Sequence, residues 1–118
     1  FYASDQTGTW QIWRLPLNDA KPAALPLQFT AAGGFRSAVS PDGQWLYYSK
    51  REPASGLWRM PLAGGAESPV LDLPVPLNGA WALSRTGLYF LRVNAQPQIF
   101  FQPFSAPATP RLLHTLNN

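Results

Sequence analysis

Ile12-Trp13-Arg14-Leu15-Pro16-Leu17 recurs as Leu57-Trp58-Arg59-Met60-Pro61-Leu62 and, more weakly, as Ile99-Phe100-Phe101-Gln102-Pro103-Phe104. The copies begin about 45 and then about 42 residues apart, and self-similarity at such a period marks a stacked repeat fold. Working outward from these hexapeptides, Phe1-Tyr2-Ala3-Ser4 falls on Leu46-Tyr47-Tyr48-Ser49, and Leu46-Tyr47-Tyr48 on Leu88-Tyr89-Phe90. Ala38-Val39-Ser40-Pro41-Asp42-Gly43 falls on Ala82-Leu83-Ser84-Arg85-Thr86-Gly87, with Gln44 and Trp45 deleted in the later copy.

Each full unit divides into four short apolar segments, in the middle copy 35–40, 44–50, 56–62 and 69–73, bounded by turn residues. Segments of this length between glycine and proline are strands. Asp42-Gly43 predicts a type I′ hairpin turn, because Gly tolerates positive φ and Asp accepts it. Gly64-Gly65 predicts the turn between the third and fourth segments. No window keeps a helical period over three turns, and 13 prolines oppose one. Pro16, Pro61 and Pro103 are expected at the ends of third strands or at bulges, since a proline inside a central strand removes a ladder hydrogen bond.

The fold class is therefore all-β. Four-stranded antiparallel units of roughly 40–45 residues are the sequence signature of β-propeller blades. The units divide as 1–34, a partial blade lacking its first strand, then 35–79 and 80–118, each a complete blade. A closed ring takes about four to eight blades, so these three are expected to belong to a larger propeller or to be completed by oligomerisation. The expected partners are accordingly other blades or a second copy of the chain. Composition agrees: 46% hydrophobic residues against 13% charged, where about 25% is usual, fits sheets covered by other sheets.

Ser40-Pro41-Asp42-Gly43 followed by Trp45-Leu46-Tyr47-Tyr48-Ser49, then Gly56-Leu57-Trp58-Arg59 and Gly64-Gly65, resembles one full copy of the bacterial WD40-like (PD40) repeat of TolB-type propellers. Ser4–Gly8, Trp13-Arg14 and Gln28-Phe29-Thr30 resemble the latter part of another copy. The third copy holds Arg85-Thr86 where Pro-Asp stood, so its first hairpin is expected to differ. Similar repeats occur in TolB, in the propellers of prolyl-oligopeptidase-type peptidases, and in the envelope-side sensor regions of transmembrane regulators with a winged-helix domain. The resemblance implies a binding or sensing segment of an envelope or regulatory protein, with a periplasmic leaning. Its rivals are the substrate-gating propeller of a serine peptidase and a purely structural assembly module.

The residues offer little chemistry. There is no cysteine and one histidine, His114, expected at the solvent edge of the last strand, and no G-x-S-x-G elbow. Asp5, Asp19, Asp42, Glu52, Glu67 and Asp72 fall mostly in predicted turns, and neither a D-x-D-x-D-G loop nor a histidine pair suggests a metal. No catalytic residue, metal or cofactor is expected. A net charge of +3 is scattered along the chain rather than gathered, which opposes direct nucleic-acid contact. No apolar stretch reaches the roughly 18 residues of a membrane span. Most of the five tryptophans are expected in the inter-blade core. Trp81 is set apart: with Phe35, Arg36 and Asn78 it falls on predicted innermost strands near the channel mouth, a candidate face for a protein or small ligand.

Overall fold

The computed structural model describes residues 1–18, 21–22, 25–50, 56–71, 81–92, 97–104 and 109–116. Every helix or strand among them is a strand. Three antiparallel sheets follow one another along the chain. The first has the order β1 (Tyr2–Ser4), β2 (Gln11–Arg14), β5 (Leu27–Gln28). Between its last two strands lies a short ribbon, β3 (Leu17–Asn18) with β4 (Lys21–Pro22), which the repeat did not foretell. The second sheet is β6 (Arg36–Val39), β7 (Trp45–Lys50), β8 (Gly56–Pro61) and β9 (Ser68–Leu71). The third is β10 (Trp81–Leu83), β11 (Gly87–Arg92), β12 (Gln98–Pro103) and β13 (Arg111–Thr115). Both have their strands paired in chain order, the arrangement that short hairpin connections impose.

The sheets stack face to face, and strand alternation decides which residue faces which neighbour. On β7, Leu46 and Tyr48 join Met60 of β8 and Ile12 of β2 in one core, with Ala3, Phe29, Trp58 and Leu62 against it. The opposite face of β7 turns Tyr47 toward Leu57, Trp81, Leu88 and Phe90, flanked by Ala38, Trp45, Val70, Leu83 and Phe100. The second sheet is thus covered on both faces. That accounts for its near-continuous apolar run, and each fully buried large side chain contributes roughly 1.5–3 kcal/mol.

Backbone pairing corrects two alignments drawn from sequence. Tyr2 lies opposite Trp13 as Tyr48 lies opposite Trp58, so Phe1-Tyr2-Ala3-Ser4 corresponds to Tyr47-Tyr48-Ser49-Lys50, one residue along. In a strand a slip of one exchanges the two faces. The observed register puts Ala3 beside Ile12 and onto the second sheet.

The second correction concerns Asp42-Gly43. Gly43 N–H donates to the Ser40 carbonyl at 2.9 Å, closing a turn with Pro41 at its second position. Proline locks φ near −65°, so a type I′ turn, which needs positive φ there, is excluded. Only afterwards does the chain turn left-handed, at Gly43 (φ 74°), before Ser40 N–H reaches the Trp45 carbonyl at 2.8 Å. In the third sheet the same closing bond runs from Ser84 N–H to the Gly87 carbonyl, 2.8 Å. Gly87 therefore stands at the place of Trp45, not of Gly43, and the deletion falls within the turn. A Cβ on Gly87 would meet the Gln102 carbonyl at 2.4 Å and the Phe101 ring at 2.6 Å. This glycine serves close approach, not turning.

Gly64-Gly65 lies, as expected, between the third and fourth strands. Gly64 N–H donates to the Pro61 carbonyl at 2.9 Å, and both glycines have positive φ (95° and 134°). Pro61 and Pro103 are the last residues of β8 and β12, and Pro16 follows β2, so none interrupts a ladder.

Candidate functional site

Of the four residues expected to form an inner-strand face, Asn78 lies outside the described residues. Arg36 opens β6, exposed, paired with Ser49. Phe35 is half-buried; its N–H donates to the Ser49 carbonyl at 2.8 Å, and its ring meets Trp10 edge-on with centroids 5.0 Å apart. Trp81 is only 6% exposed, inside the core between the second and third sheets. Its indole packs there with Tyr47, Leu57, Leu88 and Phe90. Its Nε1 and the Ser49 Oγ are buried without a hydrogen-bond partner among the described residues. The turn residues Asp42 and Gly43 are occupied locally: Asp42 Oδ1 accepts from Ser40 Oγ at 2.5 Å and from Gln44 N–H at 3.0 Å. Those donors, the Ser40 hydroxyl foremost, hold its carboxyl below the usual range. His114 is exposed on β13.

Two charged groups that the sequence had not marked occupy the interfaces between sheets. On the side toward the first sheet, the side chain of Lys50 is 3% exposed, its Nζ 2.5 Å from Glu67 Oε1 and 4.0 Å above the Trp58 ring. Tyr48 donates its hydroxyl to Glu67 Oε2. Burial, with that hydrogen bond, pushes the Tyr48 phenol above its ordinary value, keeping it a neutral donor. A buried ammonium needs such a partner because an uncompensated charge there costs several kcal/mol.

On the side toward the third sheet, Arg59 lies in an open cleft of about 260 Å³ between the sheets. β8 directs Leu57 and Arg59 to this face and Trp58 and Met60 to the other. The Arg59 guanidinium lies 3.9 Å over the Trp45 ring and donates from Nη1 to the Tyr47 hydroxyl at 3.3 Å. Ser68, beside Arg59 across the ladder, and Gln102 supply the other polar groups of the lining; Val70, Leu88, Pro103 and Phe104 make the apolar walls. A smaller cleft of about 100 Å³ adjoins it through Tyr47, Arg59 and Phe104 and reaches Asp42 and Arg85.

Sequence reading passed over Arg59 as one of nine scattered basic residues. The signal available was its position: a strand apolar on both faces carries one cation on a face that must meet another sheet. Arg14, its counterpart in the first copy, also lies over an aromatic ring, that of Phe1 at 5.8 Å. Among the described residues no group of three potential ligands is placed to hold a metal. No family model, curated protein or solved structure matches the chain.

Proposed function

We propose that this chain is a segment of a β-propeller of the WD40-like, TolB-type class, and that it works as a non-enzymatic binding scaffold within a larger envelope or regulatory protein. One contrast carries the reading. Tyr47 is 2% exposed beneath the third sheet, whereas Tyr89, which occupies the equivalent place on β11, is 40% exposed, with no sheet over it among the described residues. Tyr89 pairs with Phe101 at 4.8 Å between ring centroids, so the uncovered face offers aromatic surface of the kind that the repeat buries one unit earlier. A further sheet of the same repeat is the natural cover, supplied by other blades or by a second copy of the chain. The exposed Leu112 and Leu113 on the edge strand β13 also favour a second reading, an assembly module that pairs through strand edges.

Light scattering across a concentration series tests the docking face. The chain is expected to associate as concentration rises, and Tyr89→Glu to hold it monomeric without loss of β-sheet signal. A folded chain that stays monomeric at every concentration would remove the support that Tyr89 gives to the propeller reading. If the wild type associates and Tyr89→Glu does so equally, the edge-pairing reading gains instead.

A further inference from the structure

The chain treats its two interface cations differently. Lys50, enclosed by sheets, is given Glu67 as a counter-ion. Arg59 lines a cleft open to solvent and has no carboxylate within salt-bridge distance among the described residues. Its position is nonetheless fixed, by stacking on Trp45 and by one N–H donated to Tyr47, which leaves most of the donors of the planar fork unspent. The side chains of Ser68 and Gln102 line the same cleft without a hydrogen-bond partner among the described residues. A small set of unspent polar groups above apolar walls is the composition of a small-molecule site.

We infer that this cleft binds a monocarboxylate carried on a short apolar body, the carboxylate on Arg59 with Ser68 and Gln102 beside it, and the body against Leu88, Pro103 and Phe104. This rests on the reading of the chain as a binding scaffold and names what one of its clefts accepts. A carboxylate matches the guanidinium fork in a planar, two-bond contact. A phosphate dianion is less suited to one arginine flanked by proline, leucine and phenylalanine, because its second charge would be desolvated without a partner. Arg85 in the adjoining cleft adds positive potential, while the Asp42 carboxylate there is already taken up by Ser40 and Gln44. A volume of about 260 Å³, just under the roughly 300–1,000 Å³ of drug-sized pockets, limits the body to a single ring or a short alkyl group. Such a carboxylate is found on a free organic acid and on the C-terminal residue of a protein.

The probe is phenylacetate, titrated into the full chain and followed by tryptophan fluorescence, for which Trp45 beneath Arg59 is the local reporter. Saturable binding is expected, at least tenfold weaker for the neutral analogue phenylacetamide and for Arg59→Gln, and unchanged in Arg14→Gln, whose side chain lies in the first sheet over Phe1. The amide comparison uses the unaltered chain, so it stands even if Arg59→Gln disturbs folding. Equal binding of acid and amide, no saturation with phenylacetate, or displacement of phenylacetate by an equal concentration of inorganic phosphate would each overturn the inference. Competition by a short peptide ending in free phenylalanine, and not by its amidated form, supports a protein C-terminus as the source; failure of both peptides to compete with bound phenylacetate supports a free acid. A monomeric chain that binds phenylacetate defeats the docking-face argument and leaves the cleft standing, and an associating chain that ignores phenylacetate does the reverse.

Discussion

The two interfaces between sheets are built from the same repeat and end differently. Toward the first sheet, Leu46, Tyr48, Met60 and Ile12 close a core whose charged group is neutralised within the protein, Lys50 on Glu67 with Tyr48 as a second donor. Toward the third sheet, Tyr47, Leu57, Trp81, Leu88 and Phe90 close an equivalent core near the inner strands, but the outer part stays open around Arg59. The difference shows that one repeat can treat an interface cation in two ways. One interface spends its charges on itself, and the other keeps a fixed cation facing solvent.

The comparison can be broken at several points. The largest expected effects are those of Leu46→Ala and Leu57→Ala, one in each core and both fully buried, each lowering stability by about 3 kcal/mol in denaturant unfolding. A much smaller loss for one of them would mean that its interface is not a packed core. Next comes Glu67→Ala, which strands the Lys50 ammonium and is expected to cost about 2 kcal/mol, below the usual buried-pair figure because Glu67 is 24% exposed. The double change Lys50→Met with Glu67→Gln should recover most of that loss. If it does not, Lys50 serves more than charge pairing. Gly87→Ala should cost at least about 1 kcal/mol, since the added carbon collides with the Gln102 carbonyl and the Phe101 ring; Gly64→Ala meets no atom within 4 Å and suffers only backbone strain at positive φ.

The smallest expected effect concerns pH. Asp42 titrates lower in the folded chain than an ordinary aspartate carboxyl, held down first by the Ser40 hydroxyl. Its contribution is therefore complete above about pH 4 and is lost as pH falls through the folded-state value. Wild type and Asp42→Asn should differ in thermal midpoint at neutral pH and converge in acid. A difference that persists unchanged down to the lowest pH at which the chain folds would show that the carboxylate charge is not what the Ser40–Gln44 turn uses.

The strands of the two four-stranded sheets were legible because apolar segments, glycine turns and repeated prolines all agree on their positions. What was hidden is register and charge. Phe1-Tyr2 aligns with either Leu46-Tyr47 or Tyr47-Tyr48 by residue type, and only hydrogen bonding chooses between them. Gly87 resembles a turn glycine in sequence but is required by the approach of Phe101 and Gln102 from the next strand. Lys50 and Glu67 are 17 residues apart and meet only because β7, β8 and the segment before β9 lie side by side. The burial of Trp81 was hidden for a related reason: which face of β10 is covered depends on the neighbouring sheet, and its alternation alone does not show that.

The central claim is that the second sheet is sandwiched between the other two, and native-state hydrogen exchange measures it directly. Amides of β7 and β8 that bond within the ladder are predicted to exchange most slowly, with those of β5 and β13 the fastest among the strands, since protection follows the burial of the surrounding packing. If β7 and β8 exchanged as fast as β13, the second sheet would not be covered on both faces, and the stacked arrangement together with the cleft it creates would have to be abandoned.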